Sequence, residues 1–140
     1  MSKPSTAVAL TWTHGLAFHV ETPKGGTLVT DGNSGDGLSP VELLAAATAS
    51  CMGVDVVHIL TKARQPIEGL RVGFEGDRAA SEPHRFTAIR LQFDIEGPVG
   101  RAQVDRAVQL SRDKYCSVWN SLRQDITLDV VTRIHASAPR

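Results

Sequence analysis

Cys51 and Cys116 are the only thiols in a chain of 140 residues, and each lies in a setting that bears on reactivity. Cys51 falls inside the apolar run Ser39–Leu60, and Cys116 closes an amphipathic run as Asp113-Lys-Tyr-Cys-Ser-Val118. A free cysteine is only a few per cent thiolate at neutral pH, so a nucleophilic one needs neighbours that favour the anion. On a helix, Thr48, Asp55, His58 and Lys62 all fall within about 60° of the Cys51 direction, making one polar stripe on an otherwise apolar segment. Protonated His58 or Lys62 would stabilise a Cys51 thiolate, whereas Asp55 would oppose it and could instead orient a partner. Such a thiolate could attack a peroxide O–O bond to give a sulfenic acid. Cys116 could condense with that to a disulfide, and an external dithiol would reset the pair. The same residues also fit a plainer account, in which Cys51 is a small buried hydrophobe among alanines and His58 is a helix-face residue satisfied by a neighbour.

The bulk properties narrow the setting. Hydrophobic residues make up 41% and charged residues 21% of the chain, as in an ordinary globular domain. The formal net charge of zero gives no pull toward nucleic acid or an anionic membrane. Met1–Thr6 shows no signal-peptide core, and the stretch Val41–Leu60 contains Glu42, Asp55 and His58, so it reads as a buried helix and not a membrane span. A cytoplasmic protein is expected. In that reducing compartment two cysteines are inert core thiols, metal ligands or a redox pair. Neither Cys-x-x-Cys nor His-x-x-x-His occurs, so no metal or other cofactor is expected. His14, His19, His84 and His135 are scattered and expected to be exposed, Trp12 and Trp119 are expected in a core or interface, and the loop Asp31–Asp36 lacks the ligand spacing of a calcium loop.

The elements that would hold this chemistry follow from pattern. Thr6–Thr13 and Leu16–Glu21 read as strands around a His14-Gly15 turn, and Thr22–Gly26 as a turn before a short strand at Thr27–Thr30. Asp31–Leu38 reads as loop. Ser39 then serves as an N-cap, Pro40 as the first helical residue and Glu42 as the return half of a capping box, opening a helix to about Ala63 that Gln65-Pro66 ends. Apolar residues surround most of this helix, so it should be buried on nearly all sides. So small a protein achieves that most simply as a dimer wrapping the helix. Strands follow at Leu70–Asp77 and, with the clearest alternation in the chain, at Ile89–Ile95; a second helix spans Ala102 to about Tyr115, and Ile126, Leu128 and Val130 mark a last strand. The order predicts one α+β domain over residues 1–140 with a largely antiparallel sheet.

With Ser39-Pro-x-Glu-Leu-Leu-x-Ala-Ala…Cys51, and a second cysteine beyond Tyr115 ahead of a final strand, the chain resembles the family of osmotically inducible protein C and organic hydroperoxide resistance protein (OsmC/Ohr). The resemblance spans nearly the whole chain. It implies an intertwined homodimer with antiparallel sheets around two long central helices. It also implies a peroxiredoxin-like thiol peroxidase of the oxidative-stress response, acting on organic hydroperoxides at the dimer interface. Cys51 would be the peroxidatic cysteine, Cys116 the resolving one, and a dithiol such as a lipoyl group the reductant. Two positions depart from the peroxidases. They use an early-strand arginine, whereas here no arginine precedes Arg64 and Lys24 is the nearest early cation, without the bidentate fork. They also place the arginine's glutamate directly after the helix-starting proline. Here that position is Val41, while Glu42 lies about 180° around the helix from Cys51. The chain is therefore similar to the OsmC-like branch. Two alternatives follow: a non-catalytic dimer binding a small apolar ligand, and another thiol-based stress function using the Cys51, Asp55 and His58 stripe.

Overall fold

The computed structural model describes residues 3–136, which divide into two compact units, one ending at Leu44 and the other beginning at Ala45. The first unit holds a three-stranded antiparallel sheet of β1 (Ala9–His14), β2 (Ala17–Glu21) and β3 (Thr27–Asp31) in that order. Gly15 takes φ +53° in the first turn, a left-handed conformation that costs glycine little, and its carbonyl accepts from Trp12 Nε1 at 2.9 Å. The register sets Leu10 opposite Val20, Trp12 opposite Phe18, and Val20 opposite Leu28, so these side chains share one face.

The predicted capping box is formed. Glu42 N–H donates to Ser39 Oγ at 3.1 Å and Ser39 N–H donates to Glu42 Oε1 at 2.9 Å, opening helix α1 (Pro40–Lys62). Ser34 Oγ donates to the same carboxylate at 2.7 Å. The hydrogen bonds from Ser39 and Ser34 hold the Glu42 carboxyl below its usual range. At the other end Arg64 takes φ +58° and Gln65 N–H reaches back to Leu60 O at 2.9 Å, a left-handed cap ahead of Pro66.

In the second unit the rest of α1 lies against a sheet ordered β4 (Gly69–Arg78), β5 (Phe86–Glu96) and β6 (Thr127–His135). Ile89, Leu91, Phe93 and Ile95 of β5 are buried together with Met52, Val56 and Leu60 of α1 in one core. The expected α+β class holds, with one change: β4 and β5 pair antiparallel, but β5 and β6 pair parallel. The chain leaves β5 at Glu96 and returns through helix α2 (Arg101–Leu110), a helical crossover of the kind that a parallel pair requires. The helix expected to reach Tyr115 does so in two parts. After Leu110 it widens into a π-helical turn, Ser111–Tyr115, closed by Cys116 N–H donating to Ser111 O at 2.8 Å. A 3₁₀ turn, Trp119–Ser121, follows.

Candidate functional site

The π-helical turn decides where the second thiol goes. Ser111 is fully buried, and its carbonyl holds the Cys116 N–H while its hydroxyl donates to Asp55 Oδ2 on α1 at 2.7 Å. One serine thus ties the turn carrying Cys116 to the helix carrying Cys51. A π-turn inserts an extra residue into the helical repeat and turns the following side chains, a device frequent at functional sites.

Cys116 is 0% exposed, Cys51 is half-buried against the same core, and both are free thiols. Burial pushes the Cys116 thiol up to about 11; Trp119 N–H, donating to its sulfur at 3.3 Å, works the other way, while a hydrogen bond to Cys51 and the nearby charges of Cys51 and Asp55 raise it further. Cys116 therefore carries its proton at neutral pH, beside Cys51.

The stripe read from α1 is present. Thr48 is buried, Asp55 half-buried, and His58 and Lys62 exposed. Asp55, His58 and Lys62 line a cavity of about 550 Å³ together with Arg106, Leu110 and Tyr115 of the α2 segment. Asp55 has the partner that its place on an apolar helix demands, and that partner is Ser111. Ser111 stands in the apolar register of Val104, Ala107, Val108 and Tyr115; a polar residue in that register was the one signal for its role. Nothing in the sequence singled out Arg106. Glu42 serves as a cap, and Lys24 is exposed in the turn between β2 and β3; both belong to the first unit. Trp119 is buried as expected, whereas Trp12 is 63% exposed. Of the four scattered histidines, His14 and His135 are exposed, and His19 and His84 are half-buried: His19 lies on the central strand β2, and His84 Nδ1 lies 2.9 Å from Ala79 O.

The family model described as OsmC-like protein matches residues 32–131. The chain belongs to the OsmC-like family. The match runs through both compact units. Protein YhfA of Escherichia coli strain K12 is 40% identical over 119 residues, which cover 84% of this chain and 89% of that protein. Among solved OsmC-fold structures, a hypothetical protein from Aquifex aeolicus VF5 superposes with a TM-score of 0.89 at 29% identity, covering 97% of this chain and all of that one (100%). The organic hydroperoxide resistance protein OsmC of Legionella pneumophila shares the fold with a TM-score of 0.65 at 21% identity, covering 96% of this chain and 98% of that one.

Proposed function

We propose that the protein is a thiol peroxidase that reduces organic hydroperoxides through Cys51 and Cys116. The observation that carries this reading is the pairing of a half-buried Cys51 with a buried, protonated Cys116 on a turn fixed by Ser111. The Cys51 thiolate attacks the distal oxygen of ROOH. The O–O bond breaks, Cys51 becomes a sulfenic acid, and RO⁻ leaves as ROH with a proton from solvent. The Cys116 sulfur then attacks the sulfenic sulfur, its own proton leaving with the hydroxyl as water, and a Cys51–Cys116 disulfide forms. A dithiol, lipoyl-type or similar, reduces that disulfide through a mixed disulfide and is itself oxidised to its cyclic form. Asp55 and His58 are supporting residues beside the pair, Asp55 through Ser111.

We place the chemistry in a cytoplasmic homodimer built from one OsmC-like domain per chain. Support comes from apolar surface left open in the single chain: Leu10, Trp12, Phe18 and Leu28 on one sheet face, and Val54, at 64% exposed, with Val57 on α1. The length and hydropathy of α1 alone would suit a membrane span. Its Asp55–Ser111 bond and the burial of Met52, Val56 and Leu60 on the sheet favour a core helix instead.

One observation favours a second reading, a non-catalytic dimer that binds a small ligand. Glu42 is engaged as a cap and no arginine precedes Arg64, so the early arginine–glutamate pair of the peroxidases has no counterpart at these positions. The experiment that separates the readings follows cumene hydroperoxide consumption with dihydrolipoamide as reductant. The peroxidase reading expects turnover that Cys51→Ser abolishes, while Cys116→Ser still forms a sulfenic acid in a single turnover. No turnover by protein with fully reduced thiols would leave the binding reading.

A further inference from the structure

The cavity between the C-terminal half of α1 and α2, about 550 Å³ in volume, has a wall divided by chemistry. Ile59, Leu110 and Tyr115 supply apolar surface, and His58, Lys62 and Arg106 supply nitrogen. Among the described residues none of these three forms an ion pair. Among the described residues Asp55 is the one acid in the wall, and one of its oxygens accepts from Ser111. With His58 neutral, Lys62 and Arg106 against Asp55 leave the lining one positive charge in excess. Small-molecule sites have this size and this mixture of apolar wall and few polar groups.

We infer that this cavity is a binding subsite for a small amphipathic carboxylate, with Lys62 and Arg106 holding the anionic end. The inference stands apart from the peroxidase reading, since binding there needs neither thiol. The arrangement also sets the orientation. Asp55 and Lys62 are seven residues apart on one helix face, about 10 Å at the helical rise, which matches an extended chain of about eight carbons. Asp55 repels a carboxylate, so the anionic end goes to the Lys62 end. The Arg106 guanidinium offers a two-pronged donor to it, and Lys62 adds a point charge. The alkyl chain then lies along Ile59, Leu110 and the Tyr115 ring. Its far end points toward Asp55, the residue that the cavity shares with the thiol pair.

The test uses octanoate as probe and octan-1-ol as its neutral match, with binding to the purified full chain measured by calorimetry and by chemical-shift changes. Wild type should bind octanoate, and more weakly as salt is raised. Lys62→Gln with Arg106→Gln should weaken that binding by about tenfold or more, as loss of two charge-assisted contacts implies. Octan-1-ol should bind wild type no better than octanoate binds the double variant. Arg106→Lys should recover part of the loss, and Cys51→Ser should bind octanoate like wild type. Both glutamines replace exposed side chains, and an unchanged melting temperature checks their folding. The inference is overturned by no octanoate binding at millimolar concentration, by equal binding to the double variant, or by octan-1-ol binding as tightly. The first of these is also the outcome expected if a partner chain fills the cavity. None of these results depends on peroxide turnover, so this subsite and the peroxidase reading fail separately.

Discussion

The two sheets of this protein treat their apolar faces in opposite ways. In β4–β6 the inward residues Ile89, Leu91, Phe93, Ile95 and Leu128 are almost wholly buried by elements of their own unit. In β1–β3 every residue of β1 is exposed, and Leu10, Trp12, Phe18 and Leu28 form a face that the single chain leaves open. The contrast separates two sources of stability. The second sheet carries its core within one chain. The first has an apolar face whose burial, in the homodimer proposed above, depends on a second chain and therefore on concentration.

The sharpest way to break that comparison is to truncate one large residue in each sheet. Phe93 is 0% exposed, so Phe93→Ala should cost about 3–5 kcal/mol, and by the same amount at every protein concentration. Trp12→Arg should leave the folded second unit intact but abolish dimerisation, read as the monomer mass in light scattering and as a melting temperature that no longer rises with concentration. A wild type that is monomeric at high micromolar concentration would remove the contrast. A smaller effect tests what joins the thiol-bearing elements. Ser111→Ala removes the hydroxyl that donates to Asp55 and should cost about 1 kcal/mol, the net worth of a typical hydrogen bond, because the half-buried Asp55 carboxylate can take water in its place. It should also slow disulfide formation between Cys51 and Cys116 after one equivalent of hydroperoxide, followed by the loss of free thiols. Unchanged resolution would mean that Asp55 and Ser111 serve packing alone.

The same contrast explains what could be read from the sequence. The β5 alternation, the Ser39–Glu42 capping box and the Gln65-Pro66 stop are local signals with local causes, and each appears where it was expected. Strand direction is not local: alternation at Leu128 and Val130 says that one face is buried but not which way the chain runs, so the parallel β5–β6 pair was missed. The π-turn was missed for a related reason, since the spacing of Val104, Ala107, Val108, Ser111 and Tyr115 fits an α-helix almost as well as one widened near its end. The Asp55–Ser111 bond joins residues 56 positions apart. Sequence showed that Asp55 needed a partner but could not name it. Trp12 was expected in a core or interface; its exposure in the single chain leaves the interface as the only one of the two still open.

The last of the expected effects is one of pH, and it belongs wholly to the second unit. The Cys116 thiol rises from an ordinary value of 9.0 to about 11, chiefly through burial. In the unfolded chain this thiol releases its proton near pH 9, whereas in the folded chain it keeps it until about pH 11. Below pH 9 both states are protonated and Cys116 contributes no pH dependence. Between those values the unfolded state binds fewer protons, so stability falls as pH rises, by about 2 kcal/mol at most for a shift of that size. Cys116→Ala should be less stable than wild type at pH 8 because it leaves a small cavity. Its stability should nevertheless fall less steeply between pH 9 and 11, when urea unfolding of the two proteins is compared across that range. The wild-type excess in slope should be the same at low and high protein concentration, because the burial that causes it lies within one chain. An excess that grows with concentration would place the cover over Cys116 in a partner, and with it part of the core assigned here to the second unit alone.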